Sequence, residues 1–497
     1  MVSTRGRQRW AGTSHVLPLP FGIGLVAGGL CVTVAAMIGL VADGDEFANA
    51  RVAELVLGVS SVIVGLAATR LQSDMKISST AAMSMFVVGW TAMTGVAIVA
   101  FWLSGELATP LDAVFEAVSA STTTGFTTVA APEELSRSLL FLRASMPWAM
   151  GLGVLLAGMG VLPASAGGAE LLPHRQLRGR EQLVTTLRMA LRNIIGLYLF
   201  LTIALMVGYL LAGMHLFDGV TYALSTASTG GMANHGDSIG HFDSSAIEWI
   251  ATGGMAAAGG NLMVVWWALR GRLKPVWHST ELRLYVSLLL LGFLMIRFGG
   301  SGLGSSDSAV AISSMLSTTG LRSANWAAGT DLTRSILLVA GGIGAMSGSV
   351  GSGFRLARVA RVALEVRRSL QQLLNPNRVG VIRVDDVAVN EGTLQLTYGY
   401  LWMHAFTLAG MSVLLYTKEL DIIATLSFAV GLVSNVGILV NGAELQSHVE
   451  LSGWTESVAS FGMLLGRLSI YPVLLTIAGV GRWLSRLRRG RAIGWGV

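Results

Sequence analysis

Ser121-Thr122-Thr123-Thr124-Gly125-Phe126 closes a short apolar segment, and runs of the same make return three times. They are Ser228-Thr229-Gly230-Gly231, Ser317-Thr318-Thr319-Gly320-Leu321 and, more loosely, Ser434-Asn435-Val436-Gly437. Gly125, Gly230, Gly320 and Gly437 lie 105, 90 and 117 residues apart, and repetition on that scale marks one structural unit used several times. The segments ahead of the glycines are short, at 110–120, 217–227, 308–316 and 421–433. As helices rising ~1.5 Å per residue they reach about halfway across a bilayer. Asp112, Asp218, Asp307 and Asp421 at their starts suit helix N-termini. The C-terminal, negative ends then point at the membrane centre, where their field attracts a cation.

The surrounding chain is built for lipid. Of its 497 residues 53% are hydrophobic and only 12% charged, with mean hydropathy +0.63, against roughly 25% charged for a globular domain. Apolar stretches at 17–41, 81–104, 139–162, 193–211, 250–269, 284–298, 335–354, 401–416 and 459–480, with a weaker one at 52–68, give about ten crossings by the ~20-residue span criterion. The first follows Arg5, Arg7 and Arg9 but is too long for a signal-peptide core and lacks a small-x-small cleavage site, so it reads as a retained helix. Cys31 is the only cysteine, which excludes disulfides and cysteine-pair chemistry within one chain.

Net charge is +6 and the pI about 9.8, yet the basic residues do not describe a nucleic-acid surface. They concentrate in alternate loops, around Arg175 to Arg180, Arg270 to Lys274, Arg355 to Arg368 and Arg482 to Arg491. The intervening loops hold Asp43, Glu106, Glu133, Asp237, Glu248 and Glu444. This positive-inside pattern places both termini in the cytoplasm. All four glycine runs fall on the acidic side, so the four short segments enter from one face. An inverted-repeat transporter would place them on opposite faces.

The expected fold is an all-α polytopic membrane protein with pseudo-fourfold helix–pore loop–helix repeats around a central pore. Two extra N-terminal helices occupy 1–79, and the repeats 80–183, 184–280, 281–396 and 397–497. Non-helical backbone at membrane depth is tolerated only where it is buried or lines a water-filled path. Carbonyls facing an axis can replace a cation's hydration shell, glycine permits the left-handed angles this needs, and Ser and Thr hydroxyls are hard donors that fit an alkali cation. Small-residue helix packing is the bland alternative for one run; four runs, each after a short segment with an acidic start, favour a pore.

Two further features lie below. Gly341 to Gly353 contains six glycines, each costing roughly 1 kcal/mol relative to Ala inside a helix, so the third repeat's second helix is expected to break into a loop. No Gly-Lys-Ser/Thr follows to make it a phosphate loop. Arg467 lies well inside an apolar helix, where an ionisable residue is functional by default, with a helix-tying role as the alternative. His174, His278 and His448 have no paired spacing for a metal. His235 reads as solvated, with the outer vestibule as the alternative, and Arg322 puts a positive charge beside the third run. Arg355 to Asn377 reads as a basic amphipathic helix for anionic lipid or a partner.

The chain from about residue 80 resembles the TrkH-type membrane subunits of bacterial potassium uptake systems, within the Trk/Ktr/HKT superfamily. The resemblance rests on Phe115-Glu116-Ala117 leading to Thr122-Thr123-Thr124-Gly125-Phe126, and on Leu224-Ser225-Thr226-Ala227-Ser228-Thr229-Gly230-Gly231 followed by His235. Ala268-Leu269-Arg270-Gly271-Arg272, Leu373-Leu374-Asn375-Pro376-Asn377 and Leu465-Gly466-Arg467-Leu468 complete it. It implies gated potassium uptake across the cell (inner) membrane with no enzymatic chemistry and no organic cofactor. The implied partners are a homodimeric copy, the lipid bilayer and a TrkA-like cytosolic nucleotide-binding regulatory subunit; no nucleic acid is among them. The filter would comprise Thr123, Thr124, Gly125, Ser228, Thr229, Gly230, Thr318, Thr319, Gly320, Asn435, Val436 and Gly437. The gate would be Gly344, Ala345, Met346, Ser347 and Gly348, with Arg467 bonding loop carbonyls near Gly344 to Gly348. The gate departs from the family's Gly-Ser-Thr-Ala-Gly-Gly style through Met346 and Val350, and Ser469 replaces the usual glutamate after Arg467. Residue chemistry alone implies a monovalent cation; potassium comes from the resemblance. A cation-coupled symporter or a sodium-permeable member is the alternative, and an intramembrane enzyme lacks its nucleophile–base or metal set.

Overall fold

The structure is a computed structural model that describes residues 18–44, 47–71, 79–160, 180–323, 329–375, 382–385, 387–416, 422–438, 451–468 and a few positions between 470 and 476. The basic stretches at 5–9, 175–178 and 482–491, both termini, Asp421, Glu444, Pro376, Asn377, His174, His448 and Ser469 lie outside the described residues.

Helices α1 (Pro18–Ala42) and α2 (Ala48–Arg70) form an antiparallel hairpin packed on α3 (Ser79–Leu103) and α5 (Arg137–Gly160). Their axes approach closely because glycine faces glycine. A Cβ on Gly65 would lie 2.6 Å from the Gly22 carbonyl, and one on Gly29 2.6 Å from that of Gly58. In lipid, where apolar burial gives no drive between helices, such backbone proximity supplies the van der Waals contact that holds them together.

One end of this hairpin is clamped by charge. Arg51, fully buried, donates from Nε to Asp43 (3.1 Å), from Nη1 to Glu54 (2.5 Å) and from Nη2 to Glu106 (2.6 Å). The acids are held in turn: Asp43 accepts the backbone N–H groups of Arg137 and Ser138, which open α5, and Glu106 accepts that of Ser136. Four segments meet on one guanidinium.

After the hairpin, a long helix, a short helix, a bend and another helix recur four times. The short members are α4 (Pro110–Ser121), α7 (Leu216–Ala227), α12 (Ser305–Ser317) and α16 (Ile422–Ser434), each about 18–20 Å long. Thr109 and Asp112 cap α4 reciprocally, with Pro110 in its first turn, and Asp218 and Asp307 sit in the first turns of α7 and α12. The flanking helices are α3 and α5, α6 (Arg180–Leu211) and α8 (Ser245–Gly259), α11 (Thr280–Phe298) and α13 (Asp331–Ile343), and α15 (Glu391–Leu415) and α17 (Gly453–Leu468).

Among the described residues only α1, α2, α3, α5 and α6 are long and apolar enough to cross a membrane by themselves; the other expected spans are shorter, less apolar or interrupted. The stretch 250–269, expected as one span, breaks at Gly260–Asn261 into α8 and α9 (Leu262–Leu269), because Asn261 turns inward to cap α9 through Met263 N. The third repeat breaks where glycine density implied it: α13 stops at Ile343, and α14 (Leu356–Leu374) resumes after a loop. The short α10 (Leu273–His278) follows α9, and, unexpected in an all-α chain, a ribbon pairing β1 (Arg383–Val384) with β2 (Val387–Ala388) follows α14.

Replacing Arg51 with Met leaves three carboxylates without their cation. The expected loss is about 3–5 kcal/mol, seen as a lowered Tm of the detergent-solubilised protein; an unchanged Tm would show that the cluster does not hold the hairpin.

Candidate functional site

All four short helices end in the same way. Thr123, Thr229, Thr318 and Asn435 adopt left-handed φ of 55°, 52°, 61° and 55°. The N–H of each reaches the carbonyl three residues back, and the next N–H reaches five back. In chain order the latter bonds are Thr124 to Ser119, Gly230 to Ser225, Thr319 to Ser314 and Val436 to Gly431, at 2.7–2.9 Å. This is the Schellman closure, which consumes carbonyls a helix otherwise leaves orphaned. It normally uses glycine; a β-branched threonine there is a conformational outlier worth about 1–3 kcal/mol of strain. Three of the four loops carry that strain at equivalent positions.

One residue further on, the four loops meet. The meeting residues are Gly125, Gly231, Gly320 and Gly437. A Cβ on Gly125 would lie 2.8 Å from the Gly230 carbonyl, one on Gly320 3.1 Å from Gly437 N, and one on Gly437 2.5 Å from the Thr124 carbonyl. The second-loop equivalent of Gly125 is therefore Gly231, one residue beyond the Gly230 chosen from sequence, and Ser228 falls before the left-handed residue. A Gly-Gly pair hides its register until the turn is seen. Gly125, Gly231 and Gly320 also have positive φ (84°, 69° and 87°), whereas Gly437 is required for room alone.

The ring is not uniform. Loops one and three carry hydroxyl pairs, Thr122 with Thr124 (2.7 Å) and Ser317 with Thr319 (2.6 Å). Loops two and four place Gly230 and Val436 at the second position. Asn435 compensates by donating Nδ2 to Thr124 Oγ1 (3.0 Å) and to the Met463 carbonyl (2.9 Å). Thr229 Oγ1 and Asn435 Oδ1 are buried oxygens without a hydrogen-bond donor among the described residues, and Asn435 Oδ1 lies against α17, where a Cβ on Gly466 would come within 2.8 Å of it.

On the acidic side the four glycines floor a vestibule whose walls include Arg143, His235 and Arg322. Sequence reasoning passed over Arg143 and the role of Glu116, although an ionisable residue inside each apolar helix was the available signal. Glu116 Oε1 accepts from Thr127 Oγ1 (2.5 Å) and Thr128 N (2.9 Å), and its Oε2 lies 3.2 Å from Arg143 Nε, so the pair props the backbone leaving the first loop. His235 is half-buried in the vestibule wall. Its ring stacks on His241 with centroids 3.7 Å apart, and Nε2 lies 3.6 Å from Asp218 Oδ1. Burial and then the neighbouring His241 push its imidazole below the ordinary range, against the pull of Asp218 and Glu133. Arg322 ties the third loop to the loop after the second: its Nη2 donates to the Gly236 carbonyl, and its backbone N–H to Ser238 Oγ (3.3 Å).

On the opposite side lies the loop from Gly344 to Arg355. Its ends touch, a Cβ on Gly353 falling 2.7 Å from Gly344 Cα. Met346 N and Val350 N donate to the Gly259 and Ala258 carbonyls at the α8 break (3.0 and 3.3 Å), Gly348 O accepts from Leu262 N (3.4 Å), Ala345 N donates to Ser352 O (3.2 Å), and Ser347 N donates to Glu281 (2.6 Å). Ser352 N donates to Thr318 Oγ1 (2.8 Å), joining the loop to the third left-handed turn. Arg467, buried at 6% exposure, does reach this loop, but not at Gly344 to Gly348. Its Nη1 donates to the Val350 carbonyl (2.9 Å) and Ser352 Oγ (2.8 Å), because the loop folds back and brings its second half under α17.

Substituting Gly437 with Ala would drive a methyl group against the Thr124 carbonyl. Cation flux is expected to fall at least about tenfold, the equivalent of 1.4 kcal/mol, with membrane insertion unchanged; flux at the wild-type rate would mean the ring has room to spare.

Known proteins resemble this arrangement. The crystal structure of the potassium transporter TrkH from Vibrio parahaemolyticus superposes with a TM-score of 0.81 at 24% identity, covering 92% of this chain and 97% of that one, which establishes likeness of fold. The Trk system potassium uptake protein TrkG of Escherichia coli K12 is 27% identical over 424 residues, covering 83% of this chain and 87% of TrkG. The Trk system potassium uptake protein TrkH of Halomonas elongata is 27% identical over 387 residues, covering 75% and 80%. A family model described as TrkH, cation transport protein, matches residues 53–298 and 305–480. With most of its length inside that match, the chain belongs to the TrkH family of cation transport proteins, and is a multi-pass membrane transporter, not an enzyme.

Proposed function

We propose that this protein takes potassium into the cell through a gated pore, with potassium as its substrate. The observation that carries the reading is the convergence of four helix C-termini, through identical turns, on Gly125, Gly231, Gly320 and Gly437. Carbonyls there, with the hydroxyls of Thr123, Thr124, Thr229, Thr318 and Thr319 nearby, supply hard oxygen ligands of the kind an alkali cation exchanges for water. Relatives named as potassium uptake proteins support the choice of ion. The four repeats, 80–183, 184–280, 281–396 and 397–497, each contribute one loop, Asn435 and Val436 in the fourth supplying backbone oxygen without a hydroxyl.

The Gly344 to Gly353 loop closes the path on the cytoplasmic side. Arg467 holds it shut by bonding Val350 and Ser352 and by placing a positive charge where a cation would leave. The protein works as a homodimer in the inner membrane with both termini cytoplasmic, and a TrkA-like nucleotide-binding subunit sets the loop's position from below. In α14 the exposed Val366, Leu370, Leu373 and Leu374, beside Arg367 and Arg368, offer that subunit or the lipid surface an apolar stripe.

Uptake in a strain lacking its own potassium transport, with rubidium and sodium as competitors, tests the reading. Potassium-dependent growth with rubidium competing well and sodium poorly is the expected outcome; rescue by sodium and not potassium would overturn it. Arg467→Ala is expected to raise basal flux in proteoliposomes several-fold, and unchanged flux would remove Arg467 from the gate.

A further inference from the structure

Glu281 sits in the first turn of α11, where an acid ordinarily serves the helix dipole. Two of the first-turn donors that any helix leaves orphaned are met here by other acceptors. Thr280 N donates to Asp385 Oδ1 (2.6 Å) and Leu282 N to Ser279 Oγ (3.3 Å). The half-buried Glu281 reaches across to the glycine-rich loop, where its carboxylate accepts from Ser347 N (2.6 Å). Arg467 grips the later part of that loop at Val350 and Ser352, so an anion holds its first half and a cation its second. Asp385 comes from the turn of the β1–β2 ribbon, which follows α14, and α14 leaves the loop and packs on α11.

We propose that Glu281 is a gate-positioning residue: its carboxylate latches the tip of the loop at Ser347, and Asp385 holds that latch in place by pinning the start of α11 to the ribbon. The inference rests on the gated-pore reading above. A hydrogen bond to an ionised acceptor is roughly twice as strong as one between neutral groups. The N–H groups of Ala345, Met346, Ser349, Val350 and Ser352 end on neutral carbonyls or on the Thr318 hydroxyl, so Glu281 is the strongest hold on the loop's first half. Beside Ser347, Gly348 presses on Asn261, whose Nδ2 would lie 3.1 Å from a Cβ there. The tip is thereby fixed between the cap of α9 and the first turn of α11. A shift of the ribbon draws that first turn with it, and so reaches the loop without touching it.

Two readouts on the full chain in proteoliposomes test it. One is rubidium flux. The other is the rate at which a thiol reagent modifies Ser347→Cys in a Cys31→Ser background, which removes the chain's one native thiol. Glu281→Ala is expected to raise basal flux about tenfold and to speed labelling. Glu281→Gln keeps a neutral acceptor of roughly half the strength, so its rise should be only about threefold. Asp385→Ala should move both readouts the same way by a smaller factor. Unchanged flux and labelling in Glu281→Ala overturn the latch. So does an equal fall in flux in Glu281→Ala and Glu281→Gln, which would make the carboxylate an attraction for departing cations. Should Glu281→Ala fail to fold, Glu281→Gln and Asp385→Ala carry the test, and unchanged labelling in both overturns it. Arg467→Ala separates the two readings. Flux raised there but not in Glu281→Ala sinks the latch alone; flux raised in neither, with labelling still faster in Glu281→Ala, sinks the gated pore and upholds the contact.

Discussion

The left-handed turn at the end of each short helix is the constraint on which the meeting of the four loops depends. It terminates the helix at mid-depth, satisfies the last carbonyls internally, and throws the next residue toward the three others. Threonine at three of those turns is conformationally costly, and the cost is met by the surroundings. Thr318 accepts a hydrogen bond from Ser352, and Asn435 is held by Thr124 and Met463. Relaxing any one turn would move a glycine that has no free space beside it, so the four cannot adjust independently. Strain of this kind persists only where packing over-determines it.

The architecture was largely legible in the chain. Period, length and acidic starts located all four short helices to within a few residues, and glycine density located the break after Ile343. What sequence could not resolve was register within small-residue runs. Gly230 and Gly231 are chemically identical, and only the hydrogen bond from Gly230 N to Ser225 O shows that Gly231 is the one at the ring. The same limit applies to Arg467. Its depth in α17 follows from hydropathy, but its partners, Val350 and Ser352, depend on how a thirteen-residue glycine-rich segment, Gly341 to Gly353, folds back on itself. Long-range polar pairs were invisible for a related reason: Arg51 with Glu106, or Glu116 with Arg143, carry no local spacing signal.

The fourfold plan is broken in a patterned way. Loops one and three share a hydroxyl pair at the positions where loops two and four have Ser228 with Gly230 and Ser434 with Val436, so the ring has alternating rather than equal sides. The asymmetry continues below, where among the described residues only the third repeat sends a long loop beneath the ring. A single chain can do this because each repeat has its own sequence; four copies of one chain could not place one loop across an axis without placing four.

That loop also fills a gap in its neighbour. The α8 helix stops at Gly259, and the carbonyls of Ala258 and Gly259 are met by the N–H groups of Val350 and Met346. If the loop swings aside, two backbone acceptors at membrane depth lose their donors, each at a cost of several kcal/mol in an apolar setting. Water is the replacement that a widening path supplies. In the gated pore proposed above, the loop could not leave a dry channel behind it: displacement and hydration would be one event, and the barrier to opening would include the work of admitting the first water molecules.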